Sequence, residues 1–180
     1  MRITGGALRG RQVKVPGGHI RPAMDRMRES VFAVLGDLAG TSFLDIFSGS
    51  GIIALEAASR GAAYIEAVEM DSLKRETLLS NVTISPVRIF CRFMPAELYV
   101  KRAKRPFDII FCDPPFPYKY KWELLQSIAA SPLMGEGSRL LLHCPREDLK
   151  DKPEGKLFLE DSREYGRSVV NFFKIPLSEI

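Results

Sequence analysis

The chain has no long apolar run. No window approaches the roughly 20 residues that a membrane-spanning helix requires, and the opening Met1-Arg2-Ile3-Thr4-Gly5-Gly6 lacks the apolar stretch of a leader peptide. These absences argue against a membrane partner and predict a cytoplasmic protein. Cysteine is scarce as well: Cys91, Cys112 and Cys144 are odd in number, widely spaced and each set in an apolar run, which fits neither a disulfide framework nor zinc spacing. They read as small buried hydrophobes, and no metal is expected. A strong charge of one sign is also missing, because 26 Lys and Arg face 22 Asp and Glu for a net charge of +4. That surplus permits an anionic partner such as nucleic acid without demanding one. With 180 residues, 46% of them hydrophobic and 27% charged, the chain suffices for one substantial core, and a monomer is expected.

What is present is organised around Ser42-Phe43-Leu44-Asp45-Ile46-Phe47-Ser48-Gly49-Ser50-Gly51 and the following Ile52-Ile53-Ala54-Leu55-Glu56. An apolar strand reaches an acid, breaks at two glycines and resumes with amphipathic-helix spacing. Glycine lets a backbone approach a ligand closely, and the first amides of the next helix offer N–H donors. Gly49-Ser50-Gly51-Ile52-Ile53-Ala54 formally matches the dinucleotide fingerprint, with Glu69 at about the ~20-residue distance of a ribose-binding acid, so spacing alone admits an NAD enzyme.

Asp45, in the pattern Asp-x-Phe-x-Gly-x-Gly, points elsewhere. A carboxylate there would repel a diphosphate and suit a ligand carrying positive charge, such as the amino and sulfonium groups of S-adenosylmethionine (SAM). Glu69, ending the next strand in Val68-Glu69-Met70-Asp71, is placed to accept both ribose hydroxyls. The expected cofactor residues are therefore Asp45, Phe47, Ser48, Gly49, Ser50, Gly51, Glu69 and Met70. In the competing structural reading, Asp45 caps the next segment and Glu69-Met70-Asp71 begins a helix. Asp71 itself reads mainly as a helix N-cap.

Ahead of the cradle, Arg2 to Val15 contains a Gly-Gly and an Arg-Gly-Arg step between short apolar runs, consistent with a small β-hairpin. Its charges, Arg2, Arg9, Arg11 and Lys14, and Arg21 beyond the Gly17-Gly18 loop, are all basic, as expected where a phosphate backbone docks. Residues 1–22 are taken as this basic extension and 23–180 as the main domain. Met24, Met27, Val31, Val34, Leu35 and Leu38 recur at helical spacing, with Arg26 and Arg28 off the apolar stripe and within reach of RNA phosphate. Gly36 weakens this helix, and Gly40 is expected to terminate it.

Beyond the cradle, strands near 42–47, 63–69, 87–91 and 107–112 alternate with helices near 51–60, 72–83 and 94–104. Such alternation implies a parallel sheet covered on both faces, with ligands beyond the carboxyl ends of its strands. A helix near 121–130 and a strand near 138–144 follow, then extended runs at 156–159 and 169–175 joined by Asp161 to Arg167, which predicts an antiparallel hairpin at the sheet edge.

The strand Phe107 to Cys112 runs into Asp113-Pro114-Pro115-Phe116. Two successive prolines stiffen the loop and remove two donors. An exocyclic amine on a nucleobase becomes nucleophilic when acceptors bind its hydrogens and turn its lone pair out of the ring plane. The Asp113 carboxylate and the Pro114 carbonyl supply two acceptors, and Phe116 a stacking face. Asp113, Pro114, Pro115 and Phe116 are the expected catalytic residues. Cys144, in His143-Cys144-Pro145, stands in the reverse order to the Pro-Cys arrangement of a covalent cytosine-C5 route, and His143 is assigned no catalytic role.

Together these residues resemble the RsmD family of bacterial 16S ribosomal RNA guanine-N2 methyltransferases. The resemblance spans nearly the whole chain. It is carried by Arg2-Ile3-Thr4-Gly5-Gly6 with Arg9-Gly10-Arg11, Arg21-Pro22 through Asp25-Arg26-Met27-Arg28-Glu29, and Leu44 to Gly51 with Leu55-Glu56-Ala57 and Ser59-Arg60-Gly61-Ala62. Glu69-Met70-Asp71, Asp113-Pro114-Pro115-Phe116 and Tyr165-Gly166-Arg167 complete it. It implies an α/β class I SAM-dependent methyltransferase fold, Rossmann-like, with a mostly parallel seven-stranded sheet. It further implies SAM as donor and one guanine of 16S rRNA as acceptor, within the small ribosomal subunit or its assembly intermediate. Ala23, Ala54 and Phe93-Met94 depart from the family pattern, the last where an Asp or Asn commonly receives adenine. An adenine-N6 methyltransferase acting on RNA or DNA, an NAD-dependent oxidoreductase and a non-catalytic RNA-binding module are the alternatives.

Overall fold

The computed structural model describes residues 1–15, 22–151 and 155–175. In chain order its elements are α1 (Pro22–Leu35), β1 (Ser42–Ile46), α2 (Ile52–Ser59), β2 (Tyr64–Val68), α3 (Arg75–Val82), β3 (Ile89–Arg92), α4 (Ala96–Arg102), β4 (Ile109–Cys112), α5 (Lys121–Ala129), β5 (Arg139–Pro145), β6 (Phe158–Tyr165) and β7 (Ser168–Lys174). The strands form one sheet in the order β3-β2-β1-β4-β5-β7-β6, parallel through β5 and antiparallel in the final pair. The strand order reverses between β1 and β4, which opens a crevice at their carboxyl ends. No helix among the described residues is long and apolar enough to cross a membrane.

Central strands alternate their apolar side chains between two cores. Phe43, Ile65, Phe111 and Leu141 face a layer built by α1, α2 and the first residues of the chain, whereas Leu44, Ile46, Ile110, Leu140 and Leu142 face α4 and α5. Covering both faces explains why β4 carries an unbroken apolar run, and β1 one interrupted only by Asp45 after Ser42, rather than an alternation.

The N-terminal segment is reduced to one isolated bridge, Arg2 with Gln12, supported by Ile3 N–H to Arg11 O at 3.1 Å and Val13 N–H to Met1 O at 2.8 Å. Ile3 and Val13 are nevertheless buried in the core, so the segment is welded to the domain. Gly36, rather than Gly40, ends α1: its N–H closes on Phe32 O at 3.1 Å. The expected amphipathic character of α2 is absent, since all eight of its residues are buried beneath α1 and the N-terminal segment. Asp71 caps a 3-10 turn over Ser72–Lys74 by accepting from Leu73 N–H, and α3 begins only at Arg75. Asp161 to Tyr165, expected in a connection, belongs to β6. The true turn is Gly166-Arg167, with Gly166 at φ +62°, and it lets β6 pair along β7 up to Tyr165 and Ser168.

Candidate functional site

A cleft of about 1500 Å³ lies beyond the carboxyl ends of the strands, lined by Phe47, Glu69, Met70, Phe93, Met94, the loop from Asp113 to Tyr120, and His143. Met1, Val15 and Met24 border it, so the N-terminal segment forms part of its rim. All four expected catalytic residues line this cavity, but of the expected cofactor residues only Phe47, Glu69 and Met70 do; Asp45, Ser48, Gly49, Ser50 and Gly51 are not part of its wall.

The cradle loop is held from beneath. Asp45 is buried, and its Oδ2 accepts from Ser48 Oγ at 2.7 Å and from Ala54 N–H at 3.2 Å. It thus caps α2, as the structural reading anticipates, and takes a helix-start donor expected to face a ligand. Its other oxygen, Oδ1, is buried without a hydrogen-bond partner among the described residues. Loss of water pushes the Asp45 carboxyl from 3.8 up to about 7, with the Asp113 and Glu69 charges adding to the rise and the Ser48 hydroxyl and Ala54 amide opposing it.

Ser48 and Ser50 are buried too, so their hydroxyls do not line the cleft. Gly51, the N-cap of α2, sits at φ +80°, and a Cβ there would stand 2.6 Å from Leu78 Cδ1, so both backbone and packing demand glycine. Around Gly49, by contrast, nothing lies within 4 Å of a Cβ position, leaving open space over the loop. Phe47 takes φ +66°, a costly conformation for a side chain of its size. That turn is enforced by Ser48 N–H on Val68 O at 2.9 Å, and it presents the Phe47 ring edge-on to Tyr118 at 5.2 Å.

Glu69 joins the first two strand ends. Its Oε2 accepts from Gly49 N–H and its Oε1 from Asp71 N–H, both at 2.8 Å. Both oxygens, expected to be free for ribose, already serve the backbone, although a carboxylate retains further lone-pair sites. Met70 is exposed beside it on the cleft rim.

Asp113 follows β4, its N–H bonded to Ile46 O at 3.2 Å and its Oδ1 lying 2.8 Å from His143 Nδ1. Tyr118 N–H closes a turn on the Pro115 carbonyl at 2.8 Å, one residue past the Pro114 carbonyl singled out as an acceptor. The exposed Phe116 has its carbonyl 3.4 Å from the buried Lys121 ammonium, which is paired with Asp148. His143, assigned no role from the sequence, is the cleft-lining neighbour of Asp113. Its signal is positional: Asp113 and His143 each follow paired residues, Cys112 and Leu142, of adjacent parallel strands. Burial pushes the Cys144 thiol up to about 11 and Cys112 higher still, which leaves neither as a thiolate nucleophile near neutrality.

The basic residues divide. Arg2, Arg9, Arg11 and Arg26 are exposed on the surface, and Arg21 lies outside the described residues. Arg28, expected to face RNA, is wholly buried: its guanidinium reaches Glu56 at 3.1 Å, Asp25 at 2.6 Å and the Arg2 carbonyl at 2.9 Å. The cause is Glu56, an acid in an otherwise apolar buried helix, which requires an interior cation.

The family model described as Conserved hypothetical protein 95 matches residues 1–174. Ribosomal RNA small subunit methyltransferase D of Escherichia coli strain K12 is 37% identical over 119 residues, which cover 64% of this chain and only 60% of that protein. The Bacillus subtilis protein YlbH, provisionally assigned as an rRNA methyltransferase, is 29% identical over 97% of this chain and 98% of its own length. Among solved structures, the Escherichia coli protein yhhF, provisionally described as a methyltransferase, superposes with a TM-score of 0.85 at 28% identity over 97% of each chain. The sheet order and its antiparallel terminal pair are those of the class I SAM-dependent methyltransferase fold.

Proposed function

The chain belongs to the Conserved hypothetical protein 95 family, and from that premise we propose that it transfers a methyl group from SAM to the exocyclic N2 of a guanine in 16S rRNA. The observation that carries this reading is the meeting, in one cleft, of the Glu69–Met70 strand end with the Asp113-Pro114-Pro115-Phe116 loop. The cradle suits the cofactor: open space lies over Gly49, and the buried Asp45 Oδ1 leaves one acceptor beneath the loop unused by the described residues. Glu69 and Met70 would hold the ribose side, and Phe93 and Met94 would pack on adenine. When bound, SAM supplies an electrophilic methyl on a positively charged sulfur that departs as a neutral thioether.

The protein's task is then orientation. Asp113 and the Pro114 carbonyl accept the two amine hydrogens and turn the nitrogen lone pair toward the methyl. Phe116 stacks on the base. As the nitrogen–carbon bond forms and the carbon–sulfur bond breaks, the nitrogen sheds one proton to the Asp113 carboxylate and thence to water. Residues 1–22 act as a basic extension on the domain formed by 23–180, with Arg2, Arg9, Arg11, Arg21 and Arg26 meeting phosphate. The substrate is the small subunit or its assembly intermediate, in the cytoplasm.

The test incubates the protein with methyl-labelled SAM and small subunits from a strain lacking the enzyme. Label in 16S rRNA supports the reading. Unlabelled rRNA, or binding of NAD in place of SAM, overturns it.

A further inference from the structure

Asp113 does not stand alone at the end of β4. His143 Nδ1 lies 2.8 Å from its Oδ1, and His143 Nε2 lies 2.9 Å from Ser168 Oγ, whose hydroxyl donates to Nε2 when the ring hydrogen is on Nδ1. The His143 side chain is 3% exposed and that of Asp113 24%, so the pair runs from the interior to the cleft. The sheet dictates this order. Parallel pairing sets Cys112 beside Leu142, which makes Asp113 and His143 neighbours, and antiparallel β7 starts at Ser168, opposite Pro145. The tight Gly166-Arg167 turn delivers Ser168 there, and Tyr165 anchors that turn by donating its hydroxyl to Ser30 of α1 at 2.7 Å.

An ionised carboxylate only accepts, so the hydrogen between the two side chains belongs to His143 Nδ1. A carboxylate's terminal torsion is broad, and without such a donor Asp113 could rotate among several orientations at the partly open cleft wall. His143 also stands edge-on to Phe116, with ring centroids 5.6 Å apart.

We propose that His143 is a positioning residue for the amine acceptor: its Nδ1–H holds Asp113 by Oδ1 and leaves Oδ2 for the substrate, while its ring sets the Phe116 stacking face relative to that oxygen. This inference rests on reading the cleft as a methyltransferase site. It gives the β6–β7 turn a purpose, since Ser168 fixes the far ring nitrogen and thereby the orientation of the imidazole.

The test compares wild type, His143→Leu and His143→Asn on small subunits at saturating SAM. Leucine keeps bulk without a donor, and asparagine returns an N–H donor close to the Nδ1 position. The leucine variant should lose kcat by roughly ten- to a hundredfold with its SAM affinity unchanged, and the asparagine variant should recover most of the loss. Wild-type kcat in a folded leucine variant overturns the inference. A folded asparagine variant with the same kcat as Asp113→Ala does so as well, and it decides the matter where leucine prevents folding.

A second measurement needs no turnover. Long-range nitrogen–proton NMR should find Nδ1 of His143 protonated and in slow exchange, with that protection abolished in Asp113→Ala; a wild-type ring bearing hydrogen only on Nε2 contradicts the inference. If wild-type protein labels no rRNA, the proposed function fails, and the ring's protonation pattern then judges His143 independently.

Discussion

Arg28 and Glu56 form an ion pair in which both side chains are fully inaccessible to water, with Nε 3.1 Å from Oε1. The same carboxylate accepts from Thr4 N–H at 2.8 Å and is paired with Arg60 at the end of its own helix, so the N-terminal segment, α1 and α2 meet on one acid. Removing one member of such a network leaves an uncompensated buried charge. Glu56→Ala should therefore lower stability by about 3–5 kcal/mol in denaturant unfolding. Arg28→Ala should destabilise comparably and leave the salt dependence of RNA binding as it is in the wild type. A stable Arg28 variant with a flatter salt slope would return Arg28 to the RNA-facing surface.

Asp113→Ala removes the acceptor without touching the cradle. Methyl transfer should fall by at least about a hundredfold while calorimetric SAM affinity stays near wild type, because the carboxylate is expected to meet the base. Loss of SAM binding would assign Asp113 to the cofactor instead.

Asp45 gives a pH dependence of defined sign. Its carboxyl is pushed up to about 7 in the folded protein from an ordinary 3.8, so the fold retains a proton that the unfolded chain releases between those values. Its contribution to stability is complete below about 3.8 and is lost as pH rises to about 7. Asp45→Asn cannot ionise. Relative to wild type, its unfolding free energy in denaturant titrations should therefore improve steadily from pH 4 to about 8, a gain on the order of a few kcal/mol at the upper end. A difference that does not change with pH would contradict a raised Asp45.

Arg9 and Arg11 are exposed on the N-terminal segment. If they meet phosphate, the double Ala variant should bind rRNA more weakly and flatten the slope of log affinity against log salt by roughly 0.7–0.9 for each phosphate that is no longer neutralised. An unchanged slope would make them ordinary solvated residues.

The sheet was legible because period and punctuation agree: apolar runs ending in Asp45, Glu69 and Asp113, each followed by a turn, could hardly be anything but parallel strands. The burial of Arg28 was not legible, because helical periodicity records which side of a helix is apolar but not where an isolated acid on another helix will pull a cation inward. His143 escapes sequence reasoning for a related cause. Its partner is thirty positions away in sequence, and only strand register brings them together. Asp45 shows the converse, since its pattern marks the cradle but not which of its two oxygens serves the helix.

The chemical identity of the modified nucleoside tests the central claim most directly. Small subunits from a strain lacking the enzyme, incubated with the protein and SAM, should yield on nuclease digestion and mass spectrometry a single N2-methylguanosine in 16S rRNA. N6-methyladenosine in its place, or no new methylated nucleoside, would contradict it.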